Sequence, residues 1–309
     1  RGSETIQLSS MEGWLQKLSD QRWASQISWL GEREQELDHA RTPVIAIIDT
    51  GVDYNHPVLH EHLLVKPGAA ADARGRKARY GWDFMSGDSR AADDHYHGTE
   101  LASLAMAIAP NARYLPVKVF SPYGITSSAA LYSAFEFAVN EGADVILCGW
   151  ATRRVSRAIE DGVKYARDHG VVVVAAAGDR GRSFENNKYL PATLSKTYDN
   201  VLPVYGVDSQ DRLAASADFS SNYSLTVDGI AAPGVNLDVA NPRGSYDKAS
   251  STSHAAAIVA GALARKLASL PAQDSRPAPV ELIRDLLDDA DSVAGLAAKV
   301  KGGKRLRIR

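Results

Sequence analysis

The sequence predicts an α/β fold: a mostly parallel β-sheet sandwiched between helices. From Pro43 onward, short runs rich in β-branched residues alternate with longer helical segments. The short runs are apolar throughout, which is typical of parallel strands covered on both faces. The chain has 309 residues, of which 45% are hydrophobic. That length and composition suit one large soluble domain with a substantial core.

The alternation assigns most elements of this fold. Five apolar runs are predicted strands, at residues 44–48, 114–120, 145–148, 171–177 and 201–207. Four segments between and after them are predicted helices, at residues 98–108, 127–141, 155–169 and 252–270. In sheets of this kind, sites form where the carboxyl ends of strands meet the N-termini of helices. We therefore look there for residues that carry chemistry.

The first 42 residues are predicted to form a separate helical extension, followed by the main domain at residues 43–309. Apolar residues recur every three or four positions between residues 8 and 37, which indicates one or two amphipathic helices. Such helices would pack on the main domain, bind a partner or end an upstream domain. The opening Arg-Gly-Ser at residues 1–3 is typical of a tag remnant, so an upstream domain or propeptide is possible.

Three further segments have simpler predictions. Residues 67–79 are basic and rich in alanine and glycine, which predicts a surface loop. Residues 269–279 form a linker rich in proline, serine and alanine, before a short helix at residues 280–289. Residues 302–308 are predicted to form a last edge strand, whose basic residues keep that edge solvated.

Composition argues against several classes of function. The formal charge of −2 gives no basic field for nucleic acid or an anionic membrane. The single cysteine, Cys148, excludes an internal disulfide and a multi-cysteine metal site. No apolar stretch approaches the roughly 20 residues needed to span a bilayer. No phosphate-binding loop or metal motif is found, so we expect no cofactor and no metal. Asp93 and Asp94 are interpreted as part of a solvated loop.

Asp49 is the first candidate for chemistry. It ends an apolar strand and is followed by Thr50 and Gly51, which places a carboxylate on a turn at the carboxyl edge of the sheet. Asp-Thr-Gly is found in aspartic peptidases, but these need two such carboxylates and no second motif is present. The other interpretations are the orienting acid of a serine triad and a plain helix cap.

His97 and Ser253 each begin a predicted helix. His97 precedes Gly98 and Thr99, and the helix dipole at this position favours the neutral imidazole that a general base needs. Ser253 opens a helix of small residues, with its backbone N–H placed to stabilise an oxyanion. Taken singly, each residue is better explained as a helix cap.

Together the three motifs resemble the signatures of the subtilase family, whose triad runs Asp…His…Ser along the chain. The resemblance spans roughly residues 43–308 and includes Ala232-Pro233-Gly234. It implies the subtilisin-like three-layer fold and a serine endopeptidase acting on a peptide or protein substrate. Ser253 would attack the carbonyl, His97 would carry the proton and Asp49 would orient the imidazole. It also implies two extended segments beside the substrate backbone, comprising Gly124, Ile125, Thr126, Cys148, Gly149, Trp150 and Ala151.

Several positions depart from the family pattern. In the oxyanion hole, where Ser253 would supply a backbone N–H, Asp179 replaces the family's asparagine. A carboxylate there repels the developing charge, and losing one donor lowers turnover by about 10²–10³. A protonated Asp179 would still donate, so we expect a slow or acid-favoured enzyme. Ser251 replaces a glycine, His254 a methionine and Glu100 a histidine.

Two further departures concern the cleft and calcium. Trp150 either narrows the substrate cleft or turns into the core. The family's main calcium site has no counterpart at His56-Pro57-Val58.

Three functions remain open from the sequence. The leading one is peptide hydrolysis through an acyl-enzyme on Ser253. The second is a pseudopeptidase that binds peptides without turnover, and the third is a peptide ligase or macrocyclase. We expect a cytoplasmic location, with secretion as the alternative.

Overall fold

The computed structural model describes residues 11–29, 41–64, 81–216, 219–271 and 276–308. Within these residues the main sheet has nine strands, in the order β10-β11-β7-β6-β5-β4-β1-β3-β2. All neighbouring strands run parallel except β10 and β11, which are antiparallel. Their bounds are β1 Val44–Asp49, β2 Trp82–Asp83, β3 Arg113–Lys118, β4 Val145–Cys148, β5 Val172–Ala176, β6 Val201–Val207, β7 Ile230–Pro233, β10 Asp291–Ser292 and β11 Lys304–Arg305. A separate antiparallel hairpin comprises β8 Leu237–Asn241 and β9 Ser245–Ala249.

Helices cover both faces of the sheet, which gives three layers. The described helices are α1 Met11–Ser19, α2 Arg22–Gln26, α3 His97–Ile108, α4 Ser128–Asn140, α5 Arg157–Asp168, α6 Thr252–Ala268 and α7 Pro279–Asp289. One core holds Ile45 and Ile47 of β1 with α3 and α6, and the other holds Ala46 and Ile48 with α4 and α5. Alternate residues of one strand thus enter opposite cores, which explains why the strands are apolar throughout. The predicted mostly parallel, helix-sandwiched sheet is confirmed.

The predicted strands and helices form with shifted ends, and the chain's last strand differs in position. The segment at residues 302–308 contributes only β11, which lies between β7 and β10. The edge is therefore β10, and the prediction of a last edge strand is wrong. Arg305 is 8% exposed and pairs with Asp211 and Asp291, so its charge is neutralised inside the fold. The loop predicted at residues 67–79 and the remnant at residues 1–3 lie outside the described residues.

The N-terminal helices pack on the main body. Trp14 is fully buried, and its indole Nε1 lies 3.4 Å from the carbonyl oxygen of Ser103 in α3. Trp23 and Trp29 stack with their ring centroids 5.5 Å apart. The amphipathic pattern is thus explained by burial against the same core as α3 and α6. None of the described helices is both long enough and apolar enough to cross a membrane.

Candidate active site

The candidate acid and base meet where β1 ends and α3 begins. Asp49 is the last residue of β1, and His97 is the first residue of α3. Glycines allow this close approach, because a Cβ on Gly98 would lie 2.0 Å from the carbonyl oxygen of Gly51. Gly51 itself has a φ of +101° and turns the chain away from the strand. The Asp-Thr-Gly and His-Gly motifs are therefore two sides of one tight contact.

Asp49 and His97 are hydrogen bonded. Asp49 Oδ1 lies 2.8 Å from His97 Nδ1 and also accepts the N–H of Thr50 at 2.8 Å. This contact places the Nδ1–H toward Asp49, in the neutral and in the protonated ring alike. Both residues are held at the carboxyl edge of the sheet, where the alternation placed the site.

The charge of His97 differs from the expectation. Burial opposes protonation, but the attraction and hydrogen bond of Asp49 and the charges of Glu100 and Asp93 outweigh it. Together they raise the pKa of His97 to about 9. The nearby carboxylates therefore dominate over the helix dipole, which was expected to keep the ring neutral.

Ser253 lies in the first turn of α6, beside the same pocket as His97. We define the Ser253 pocket as the cavity bordered by His97 and Ser253, by residues 149–154 and by Asp179 and Arg180. Ser253 is 6% exposed. The structure thus places His97 and Ser253 on one pocket, with Asp49 hydrogen bonded to Nδ1 of the His97 ring.

Asp179 reaches the start of α6. Its Oδ1 accepts the N–H of Thr252 at 2.9 Å and the Thr252 hydroxyl at 2.8 Å. The same hydroxyl accepts the N–H of Gly178 at 3.0 Å. Asp179 Oδ1 is therefore occupied as the acceptor of two hydrogen bonds at the N-terminus of α6.

Ser251 occupies the second part of the expected oxyanion hole. Its Oγ accepts the backbone N–H groups of Ser253 at 3.1 Å and of His254 at 3.3 Å, as an N-cap of α6. The N–H of Ser253 is the donor expected to stabilise an oxyanion. In this structure that donor already has an intramolecular acceptor, which glycine at position 251 would not provide.

Ser251, His254 and Glu100 form a hydrogen-bonded chain that the sequence reasoning missed. Ser251 Oγ lies 2.6 Å from His254 Nδ1, and His254 Nε2 lies 3.0 Å from Glu100 Oε2. The rings of His254 and His97 meet edge to face, with centroids 5.8 Å apart. Burial lowers the pKa of His254, and the hydrogen bond that His254 donates to Glu100 partly offsets this shift. Glu100 then accepts Nε2–H, and Nδ1 accepts the Ser251 hydroxyl. Three departures from the family pattern thus form one structural unit.

Asp93 and Asp94 lie in the loop before α3, as interpreted, but Asp93 is only partly exposed and is tied to its neighbours by hydrogen bonds. Asp93 accepts the hydroxyl of Thr50 at 2.9 Å and both the N–H and hydroxyl of Thr99, at 3.0 and 2.6 Å. Burial raises the pKa of Asp93, opposed by these hydrogen bonds. Asp94 pairs at 2.6 Å with Lys118, which is 3% exposed. Both acids hold the loops around Asp49 and His97 in place.

The two segments predicted to flank a substrate border a second cavity, here called the Trp150 cleft. Its walls include Gly124, Ile125 and Thr126 on one side and Trp150 and Ala151 on the other. Gly149, Trp150 and Ala151 also border the Ser253 pocket.

Within the described residues, no group of three or more His, Cys, Asp or Glu side chains is arranged to hold a metal ion.

Cys148 is an exception among the predicted cleft residues. Its side chain is fully buried in the core that contains α4 and α5, and it does not border either cavity. The strand alternation explains this, because the residue belongs to β4 and faces the side of the sheet that α4 and α5 cover.

Trp150 combines both roles considered for it. Its Nε1 donates to the carbonyl oxygen of Ile48 at 2.9 Å, and its ring packs edge to face on Phe120 at 5.7 Å. The indole is thus anchored to the sheet while its ring borders both cavities.

Comparisons with known proteins agree with this architecture. The model of the Subtilase family matches residues 40–299. A thermophilic serine proteinase of Bacillus sp. (strain AK1) is 34% identical over 270 residues, covering 84% of this chain and 59% of that protein. Thermitase of Thermoactinomyces vulgaris is 32% identical over 262 residues, covering 81% of this chain and 82% of that protein. The chain thus spans less than two thirds of the first relative.

Solved structures agree in fold. The structure of a lanthipeptide protease superimposes with a TM-score of 0.73 at 21% identity, covering 99% of this chain and 94% of that one. A cold-adapted subtilisin-like serine proteinase gives a TM-score of 0.71 at 23% identity, covering 90% and 93%. With the sequence matches, these findings show that the chain belongs to the subtilase family of subtilisin-like serine proteases.

Proposed function

We propose that this domain is a serine endopeptidase that hydrolyses peptide bonds through an acyl-enzyme on Ser253. The observation that carries the proposal is the 2.8 Å contact between Asp49 Oδ1 and His97 Nδ1, beside a pocket that Ser253 also borders. An acid that fixes the tautomer of a histidine next to a serine is the arrangement that activates a hydroxyl nucleophile.

The reaction needs one proton carrier and one nucleophile. Ser253 Oγ forms a bond to the scissile carbonyl carbon as its proton moves to His97 Nε2, and the carbonyl π electrons move to oxygen. The imidazolium then gives that proton to the leaving amine as the C–N bond breaks. Water resolves the acyl-enzyme by the same two steps, and Asp49 holds the ring and stabilises its cation throughout.

Two features of the pocket support a slow enzyme. Asp179 presents a carboxylate that accepts from Thr252, and Ser251 accepts the backbone N–H of Ser253. Each removes one donor from the developing oxyanion, and each missing donor lowers turnover by about 10²–10³. Trp150, anchored on Ile48 beside the cleft, supports narrow specificity.

The pH dependence we propose is alkaline rather than acid-favoured. Since the pKa of His97 is raised to about 9, most of the imidazole is protonated at pH 7 in the free enzyme. The base form increases toward pH 9. An acid-favoured enzyme would need Asp179 to donate, whereas both hydrogen bonds described for its side chain are accepted by Oδ1.

The occupied oxyanion donors also favour a second candidate, a pseudopeptidase that binds peptides without cleaving them. Mass spectrometry of a peptide library after long incubation at pH 7 and pH 9 separates the two. The endopeptidase predicts internal cleavage that is faster at pH 9 and absent in Ser253→Ala. Intact peptides at both pH values, with folded protein, would support the pseudopeptidase.

A further inference from the structure

Four arginines surround the outer end of the Ser253 pocket. Arg153, Arg154 and Arg180 border that pocket, and Arg153, Arg180 and Arg182 border the adjoining cavity with Tyr189. We call these four residues the arginine rim. The two cavities share Arg153, Arg180 and Tyr189 in their walls, so the second cavity lies beside the Ser253 pocket.

The rim guanidinium groups have no protein partner among the described residues. None of the four side chains makes a hydrogen bond or ion pair there, although Arg212, Arg276 and Arg305 each pair with an aspartate. Four unpaired cations beside one cavity are unusual in a chain whose formal charge is −2. Like charges held close together are stabilised by an anion that enters between them.

The nearby acids do not neutralise the rim. Asp179 Oδ1 accepts from Thr252 at the start of α6. Glu185 points away, since its carboxylate accepts the Ser224 hydroxyl at 2.8 Å and the N–H of Leu225 at 3.1 Å. The rim therefore presents net positive charge to whatever occupies the pocket.

The backbone beneath the rim is held firmly. Asn222, which is fully buried, accepts the N–H groups of Arg180 at 3.3 Å and of Arg182 at 2.7 Å through one amide oxygen. Thr152 and Leu190 exchange two backbone hydrogen bonds, at 2.9 and 2.8 Å, which fixes the segment before Arg153. The guanidinium groups thus extend from fixed positions on two facing segments.

We propose that the arginine rim binds an acidic side chain of the substrate, on the residue that supplies the attacked carbonyl. A carboxylate of Asp or Glu there accepts paired N–H groups from a guanidinium on either side. This substrate class rests on the proposed peptidase function, because it assumes that a peptide carbonyl is presented to Ser253. Among the described residues that line the pocket, Asp179 is the one acidic side chain that could pair with a basic residue of the substrate.

Matched fluorogenic peptides that differ only at this residue test the proposal. Two exposed guanidinium–carboxylate pairs predict a kcat/KM about tenfold higher for Glu than for Gln, and lower still for Lys. The preference should shrink in roughly 0.5 M salt, where screening is strong. It should fall toward one in Arg153→Gln/Arg180→Gln. Arg284→Gln, on the exposed side of α7, is the matched control and should keep the preference.

A binding assay separates failure of this proposal from failure of the peptidase function. Fluorescence anisotropy with Ser253→Ala should show the Glu peptide binding several-fold tighter than the Gln peptide, and rim substitution should abolish the difference. Equal cleavage and equal binding of both peptides would overturn the rim proposal and leave the peptidase intact. Preferential binding without any cleavage by the unmodified protein would overturn the peptidase and retain the rim.

Discussion

Replacing Asp179 with asparagine should make the enzyme faster and less stable at once. The Asp179 carboxylate accepts the N–H and hydroxyl of Thr252 at 2.9 and 2.8 Å. An asparagine Oδ1 keeps both contacts, and its Nδ2 replaces the second carboxylate oxygen with a donor. One recovered oxyanion donor is worth about 10²–10³ in kcat.

The cost of that substitution is the lost anion at the N-terminus of α6. Such a charge contributes about 0.3–1 kcal/mol to folding, which corresponds to a Tm lower by roughly 1–2 °C. We expect kcat for a fluorogenic peptide to rise at least about a hundredfold with KM little changed. Asp179→Ala is the control: it removes the contacts without adding a donor, so it should lose stability and gain no rate. A kcat for Asp179→Asn within threefold of the unmodified enzyme would refute the reasoning.

Three further predictions follow from the same geometry. Ser251→Gly should raise kcat about tenfold or more, because it releases the Ser253 N–H. It should also lower the free energy of unfolding in urea by about 1–3 kcal/mol, because His254 Nδ1 loses its partner. The control Ser251→Thr should leave kcat unchanged. Protonation of His97 should stabilise the fold fully below pH 6.5, and this stabilisation should be lost as the pH rises through about 9. The free energy of unfolding should therefore fall by up to about 3 kcal/mol between pH 6 and pH 9.5. The same measurement on His97→Gln should show no such loss. Trp150→Leu should lower the free energy of unfolding by about 1–3 kcal/mol, because the indole hydrogen bond to Ile48 is lost. It should also widen the range of cleavage products seen by mass spectrometry. An unchanged product profile would contradict a role of Trp150 in specificity.

The position of the candidate site was predictable because each of its key residues stands at the end of a recognisable element. Asp49 ends an apolar strand, and His97 and Ser253 begin helices, so the parallel sheet topology brings all three to one edge. Gly98, next to His97, has no side chain and so permits the close approach that the structure shows between Gly98 and Gly51.

The features that were missed depend on contacts between residues distant in sequence. Glu100 and His254 lie 154 positions apart, and neither residue alone indicated a hydrogen-bonded chain to Ser251. The charge of His97 also follows from the sum of surrounding carboxylates, including Asp93, which we interpreted as solvated. Cys148 was assigned to the cleft through the resemblance, although its place in the strand alternation indicates a core side chain.

Labelling with a fluorophosphonate probe tests the central claim, that Asp49, His97 and Ser253 form a working nucleophilic unit. We predict one label per chain, located on Ser253 by peptide mapping. The labelling rate should rise between pH 7 and pH 9 as His97 loses its proton, and it should be abolished in His97→Ala and Ser253→Ala. Folded protein that takes up no label at Ser253 at any pH in this range would contradict the account.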